Sequence, residues 1–84
     1  MRIKDTGAFY TVTASAQDVE KFAKTWPCSG FNSGDRAAFE FHKRTGDLIG
    51  VRVNNKPPYD VSDSALLALS QDCQAFAVRS GKTV

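Results

Sequence analysis

Cys28, Cys73 and His42 are the side chains of this 84-residue sequence suited to nucleophilic or metal chemistry. A cysteine nucleophile needs its thiolate, a nearby base and a group that orients the base. Cys28 is the candidate nucleophile, in the stretch Trp26-Pro27-Cys28-Ser29-Gly30-Phe31. His42 is the only histidine, and strand alternation puts it on the sheet face away from the Trp26 end of the preceding helix. Cys73 falls on an apolar helix stripe, the place of a small core residue. Zinc takes about four close ligands, and two cysteines with one histidine at these spacings fit no zinc pattern. Asp60 and Asp63 fit a helix first turn and Asp35 a loop. Gly30, Gly34 and Gly46 form no phosphate-cradling motif. These residue types point to a non-enzymatic protein with no metal and no cofactor.

The elements that position these residues follow from periodicity. Residues 1–7 read as a lightly ordered lead-in ending at Gly7. Residues 8–14, rich in β-branched and aromatic types, predict a strand with Tyr10 and Val12 on one face. Ser15 is suited to cap a helix, with Asp18 in its first turn. Val19, Phe22, Ala23 and Trp26 then recur at i, i+3, i+4 and i+7, one apolar stripe. Pro27 disfavours helical backbone at Trp26 and ends the helix there. Trp26 is therefore the last member of a buried stripe, with Phe31 folding back over the core edge beside it.

Residues 37–53 predict a hairpin. Ala37, Phe39 and Phe41 alternate with Ala38, Glu40 and His42, and Ile49, Val51 and Val53 alternate with Leu48, Gly50 and Arg52. A three-residue loop, Arg44-Thr45-Gly46, sets Phe41 opposite Ile49, Phe39 opposite Val51 and Ala37 opposite Val53. It also puts Gly46 at the left-handed position of a type I turn with a bulge. A two-residue loop would pair inner with outer residues. Asn54–Asp60 is a linker, since Pro57-Pro58 continues neither strand nor helix interior. A second helix runs from about Ser62 to Ser80, capped by Asp60 or Ser62. Leu66, Leu69, Cys73, Phe76 and Ala77 share its inner face, Leu67 lies off it, and Gly81 is its stop. Residues 82–84 read as a frayed tail.

The predicted order is β-α-β-β-α: an α+β two-layer sandwich, a three-stranded sheet with two helices packed on one face. The other face, carrying Phe9, Thr11, Thr13, Glu40, His42, Leu48 and Arg52, is open. A chain of this length makes one domain. Eleven Lys and Arg against nine Asp and Glu give a net charge of +2, too balanced for a dedicated nucleic-acid binder. No apolar run reaches the roughly 18 residues of a membrane span. The start, Met1-Arg2-Ile3-Lys4-Asp5, has no apolar signal core, which points to the cytoplasm.

Trp26-Pro27-Cys28-Ser29-Gly30, Phe39-Glu40-Phe41, Gly46-Asp47-Leu48 and Ala65-Leu66-Leu67-Ala68-Leu69-Ser70-Gln71-Asp72 together resemble a group of small uncharacterised proteins encoded in phages and prophages of proteobacteria. The resemblance covers roughly residues 10–78. It brings no catalytic residues. It implies a bacterial cytoplasm and an accessory protein that binds a host or defence protein.

Two functions from different classes follow. The first is a protein-interaction module whose partner-binding residues are Asn55, Lys56, Tyr59, Arg52 and Leu67, with the 27–36 loop beside them. The second is a weak nucleic-acid binder using Arg44, Arg52 and Lys56.

Overall fold

The structure, a computed structural model, describes residues 1–27, 29–58 and 61–80. Cys28, Tyr59, Asp60, Gly81 and the tail at 82–84 lie outside them. The elements are β1 (Arg2–Asp5), β2 (Phe9–Ala14), α1 (Ala16–Thr25), β3 (Ala37–His42), β4 (Leu48–Val53) and α2 (Asp63–Arg79). The sheet is antiparallel throughout, in the order β1-β2-β3-β4. It has four strands, not the expected three, because the lead-in is itself a strand. Met1 and Ile3 alternate with Arg2 and Lys4, and Ile3 pairs with the core residue Val12. The β1–β2 turn is closed by Thr6 N–H donating to the Phe9 carbonyl at 2.9 Å. Gly7, at φ 94°, takes the first central position of that turn, where primed hairpin turns require a positive φ.

One buried cluster joins the layers. Tyr10, Val12 and Ala14 of β2 meet Ala37, Phe39 and Phe41 of β3, and Val19 and Phe22 of α1 close over them with Ala65, Leu69, Cys73 and Ala77 of α2. Both helices therefore cover the same sheet face. Tyr10 stacks on Phe41 with ring centres 5.2 Å apart. Its hydroxyl is buried with no hydrogen-bond partner among the described residues, and burial pushes its pKa up.

Ser15 caps α1 through a capping box. The Asp18 N–H donates to Ser15 Oγ at 3.3 Å, and the Ser15 N–H donates to the Asp18 carboxylate at 3.0 Å. The Met1 amine adds an ion pair to the same carboxylate at 2.9 Å, tying β1 to the helix start. Burial works to raise the Asp18 pKa. The hydrogen bonds from the amine and from the Ser15 backbone and hydroxyl, with the amine's charge, outweigh it and hold the pKa below the ordinary value. A carboxyl depressed in the folded state stabilises the fold above its unfolded pKa, near 4, and loses that contribution as pH falls through the folded value. Asp18→Asn is therefore expected to weaken the fold at neutral pH and to flatten the loss of stability below about pH 4. Urea midpoints at pH 7 and pH 3 check this: an equal midpoint shift at both would remove Asp18 from the acid response.

α1 ends at Trp26, as its following proline dictates, but Trp26 is not core. It is 40% exposed and stacks on Phe22 at 5.9 Å, while Phe31 takes the edge-on position against Phe22 at 5.9 Å. The reason is local. At φ −126° and ψ 73° Trp26 has left helical backbone, so the extrapolated stripe no longer aims its side chain inward. Emptying a core aromatic site costs about 3–5 kcal/mol. Trp26→Ala is expected to cost less, about 1–2 kcal/mol, the worth of one aromatic pair and partial burial. A chemical denaturation midpoint distinguishes the two.

The β3–β4 hairpin keeps Phe39 opposite Val51 and Ala37 opposite Val53, as expected. Its loop is one residue longer than expected, Lys43 to Gly46. The loop is closed by His42 N–H to the Asp47 carbonyl and Gly46 N–H to the His42 carbonyl, both at 2.8 Å. Gly46 does hold the left-handed position, at φ 76°. Phe41 consequently faces Leu48 instead of Ile49, and Ile49 is the unpaired residue of a bulge that restores the register at Gly50. Leu48 thus leaves the open face for the register of the core residue Phe41. The Gln74 side chain of α2 donates to the Gly46 carbonyl at 3.0 Å and pins the turn to the helix layer.

The expected linker begins with a tight turn. Val53 and Lys56 exchange backbone hydrogen bonds of 2.8 and 3.0 Å around Asn54 and Asn55, which sit at φ 54° and 65°. Asparagine tolerates this backbone better than other side chains do. The Asn54 side chain accepts from Arg36 N–H and donates to Asp35, both at 2.9 Å. Ser62 caps α2 through Ala65 N–H at 3.1 Å, and Leu67 is 57% exposed on its outer side.

Candidate functional site

The open face of the sheet is set by strand parity. Residues that pair with buried ones point to the helices, and their neighbours point away. Two rows of side chains result. One runs Arg2, Thr13, Ala38, Arg52 across the four strands; the next runs Lys4, Thr11, Glu40, Gly50. Beyond them Phe9 pairs with His42, whose ring it meets edge-on at 5.4 Å.

The middle of this face is a shallow depression of about 330 Å³. Thr11, Thr13, Ala38 and Gly50 form its floor, and Lys4, Glu40, Arg52 and Asn55 its rim. A second hollow of about 100 Å³ adjoins it, bringing Arg36 beside Arg52 and Asn55. Lys4 and Arg52 thus share the first depression with the Glu40 carboxylate, Arg36 lines the second with Arg52, and Arg2 stands on the same face at the β1 end of the Arg52 row. Among the described residues the ion pairs are Met1 amine–Asp18 and Lys43–Asp5. None involves these four cations or Glu40. Glu40 lies diagonal to Arg52, and the two form no ion pair.

The residues singled out from sequence divide between surfaces. Arg52 and Asn55 come together on the open face. Lys56 belongs to a separate depression of about 300 Å³, between the Pro57-Pro58 segment and the loop of Gly30, Asn32 and Asp35. Leu67 is on the helix layer, the opposite side of the molecule. Tyr59 lies outside the described residues. Arg2, Lys4 and Arg36 were missed by sequence reasoning. The alternation of Met1 and Ile3 with Arg2 and Lys4, followed by Thr6-Gly7, was the signal that could have placed the first two.

Cys73 is fully buried, and burial, with the Asp72 and Asp18 carboxylates, pushes its thiol up to about 12. A thiol so raised stays protonated at neutral pH and is a poor nucleophile. The His42 ring faces the other side of the sheet, where its Nδ1 accepts from the Arg44 N–H at 3.3 Å. Among the described residues no group of three His, Cys, Asp or Glu side chains could hold a metal ion. None of their helices is long and apolar enough to cross a membrane.

What the geometry offers is a cationic, side-chain-poor trough with an acceptor, Glu40, on its rim. Comparison with protein-family models, with curated proteins and with solved structures gives no match, so the reading of this surface stands on its own residues.

Proposed function

We propose that this chain is a non-enzymatic protein-interaction module that binds a protein partner through the open face of its sheet. The observation that carries the reading is the set of four cations on one sheet face, Arg2, Lys4, Arg36 and Arg52, none of which forms an ion pair among the described residues, beside a trough of small side chains. Such charge steers an acidic surface and sets its register more than it adds affinity. The resemblance to phage-encoded proteins makes the partner a bacterial host or defence protein and the compartment the cytoplasm. Asn55 belongs to the binding surface with Arg52, and Lys56 to the separate depression beside the Pro57-Pro58 segment.

A second reading, single-stranded nucleic acid, is favoured by one observation: β1 brings Arg2 and Lys4 to the face where Arg52 already stands. Against it, proteins of that kind stack bases on aromatic side chains. Here the one aromatic pair, Phe9 and His42, sits at the end of the face and is already engaged edge-on. Nucleic-acid affinity is expected to stay in the non-specific range, ~10⁻⁴–10⁻⁶ M at physiological salt.

The test is capture of a bacterial protein on the immobilised chain, with nuclease present. Arg52→Glu combined with Lys4→Glu is expected to abolish the capture, and Leu67→Glu to leave it intact. The reverse pattern would move the binding surface to α2. Capture lost on nuclease treatment would favour the second reading.

A further inference from the structure

Resting on the open face as the binding surface, we infer that the trough takes an extended segment of a partner protein carrying acid, acid and base at alternate residues. Its three contacts are Arg52 and Glu40 on the trough and Arg36 in the hollow that adjoins it.

Gly50 is the first ground. A glycine inside a strand costs roughly 0.5–1 kcal/mol relative to alanine, so its presence asks for a reason. Positive φ is not the reason, since Gly50 is not among the residues with that backbone. Crowding is not the reason either. A Cβ built there meets only the Glu40 Cβ, at 3.5 Å, an ordinary contact. What a side chain at Gly50 would do is fill the trough, whose floor it shares with Ala38. Glycine and alanine at these two positions leave the space of a bound backbone.

The order of charge along the trough and the hollow that adjoins it is the second ground. Arg36 stands just before β3. Arg52 pairs with Ala38 two residues on, and Glu40 two residues further. Alternate residues of an extended strand lie about 7 Å apart on one face. A partner strand running along this line meets cation, cation and carboxylate at its own spacing. Its complement is acid, acid and base at every second residue.

Glu40 also decides against a phosphate chain. It is diagonal to Arg52, about 7–8 Å away between backbones. That is within the screening length of about 8 Å at physiological salt. A phosphate held by Arg52 is repelled there, and a partner lysine is attracted.

The probes are the peptide Thr-Glu-Thr-Glu-Thr-Lys-Thr, its charge inverse Thr-Lys-Thr-Lys-Thr-Glu-Thr, and a ten-nucleotide oligothymidylate. Each is titrated into the ¹⁵N-labelled protein. The first peptide is expected to shift the amides of Ala38, Gly50 and Arg52, and the inverse to leave them in place. Gly50→Thr, which suits a strand, is expected to keep or raise Tm and to remove the shifts. Glu40→Gln is expected to weaken the peptide about two- to fivefold, the worth of one exposed ion pair. Equal shifts with the inverse peptide or the oligonucleotide would overturn the inference. So would an unchanged affinity in Gly50→Thr, stronger binding in Glu40→Gln, or no shifts with any probe. If protein capture still depends on Arg52 and Lys4 but is indifferent to Gly50→Thr, the binding face stands and this occupant falls.

Discussion

Deletion of residues 1–6 is expected to lower Tm by on the order of 15 °C or more, although sequence periodicity alone marks them as a loose lead-in. Met1 and Ile3 are partly buried against the core cluster. A fully buried apolar side chain is worth about 1.5–3 kcal/mol, so two partly buried ones contribute roughly 2–3. The deletion also removes the ladder along β2, the amine–Asp18 ion pair at 2.9 Å and the Asp5–Lys43 pair at 2.6 Å. The total, roughly 3–5 kcal/mol, compares with a stability of about 4–13 kcal/mol for a chain of this size. It also turns β2 into an exposed edge, a template for aggregation. Circular dichroism melting of the shortened chain tests this. A Tm within a few degrees of the parent would mean that β1 carries no weight in the fold.

Phe39→Ala is expected to cost about 3–5 kcal/mol, the range for emptying a buried aromatic site. Phe39 is fully buried, between Val12 on β2 and Val51 on β4. Its ladder partners on both sides are held in the sheet, so the cavity term is retained. For a domain of this size the shift in Tm is on the order of 15–30 °C. Phe39→Leu, which keeps most of the volume, is expected to lose much less. Similar urea midpoints for both variants would show that the centre of the sheet is not the centre of the core. The contrast with Trp26→Ala is the sharper test, because the sequence places both aromatics in the core and the structure buries Phe39 alone of the two.

Much of the local structure was legible in the residues. Ser15 with Asp18 caps α1, Pro27 ends it, Gly46 holds the left-handed turn position and Ser62 caps α2. The inner faces of β2 and β3 were legible as well; on α2 Leu69, Cys73 and Ala77 are buried as expected, while Leu66 and Phe76 are only partly buried and Ala65 and Ser70 take the inner places. Each of these depends on groups within about four residues of one another, so the physics is contained in a short window. In the β3–β4 hairpin, where a window misled, a neighbour from far along the chain had intervened. The β3–β4 loop gained a residue in a turn that Gln74 holds from α2, and Ile49 bulged to recover the register.

The candidate surface was less legible, for a related reason. Arg52 and Asn55 were found from the hairpin and its following turn, but Arg2, Lys4 and Arg36 were not joined to them. A charge belongs to a surface only through the parity of its strand and that strand's place in the sheet, and both are set by pairing across the chain.

The sequence by itself determined the helix ends, the turn chemistry, which side of each central strand is apolar, and an α+β class. The tertiary structure alone decided that residues 2–5 form a fourth strand and that Arg2, Lys4, Arg36 and Arg52 share one sheet face with Glu40. Those outcomes depend on apolar burial and strand pairing between segments distant along the chain, where a residue's own neighbours carry no information about which surface it will share.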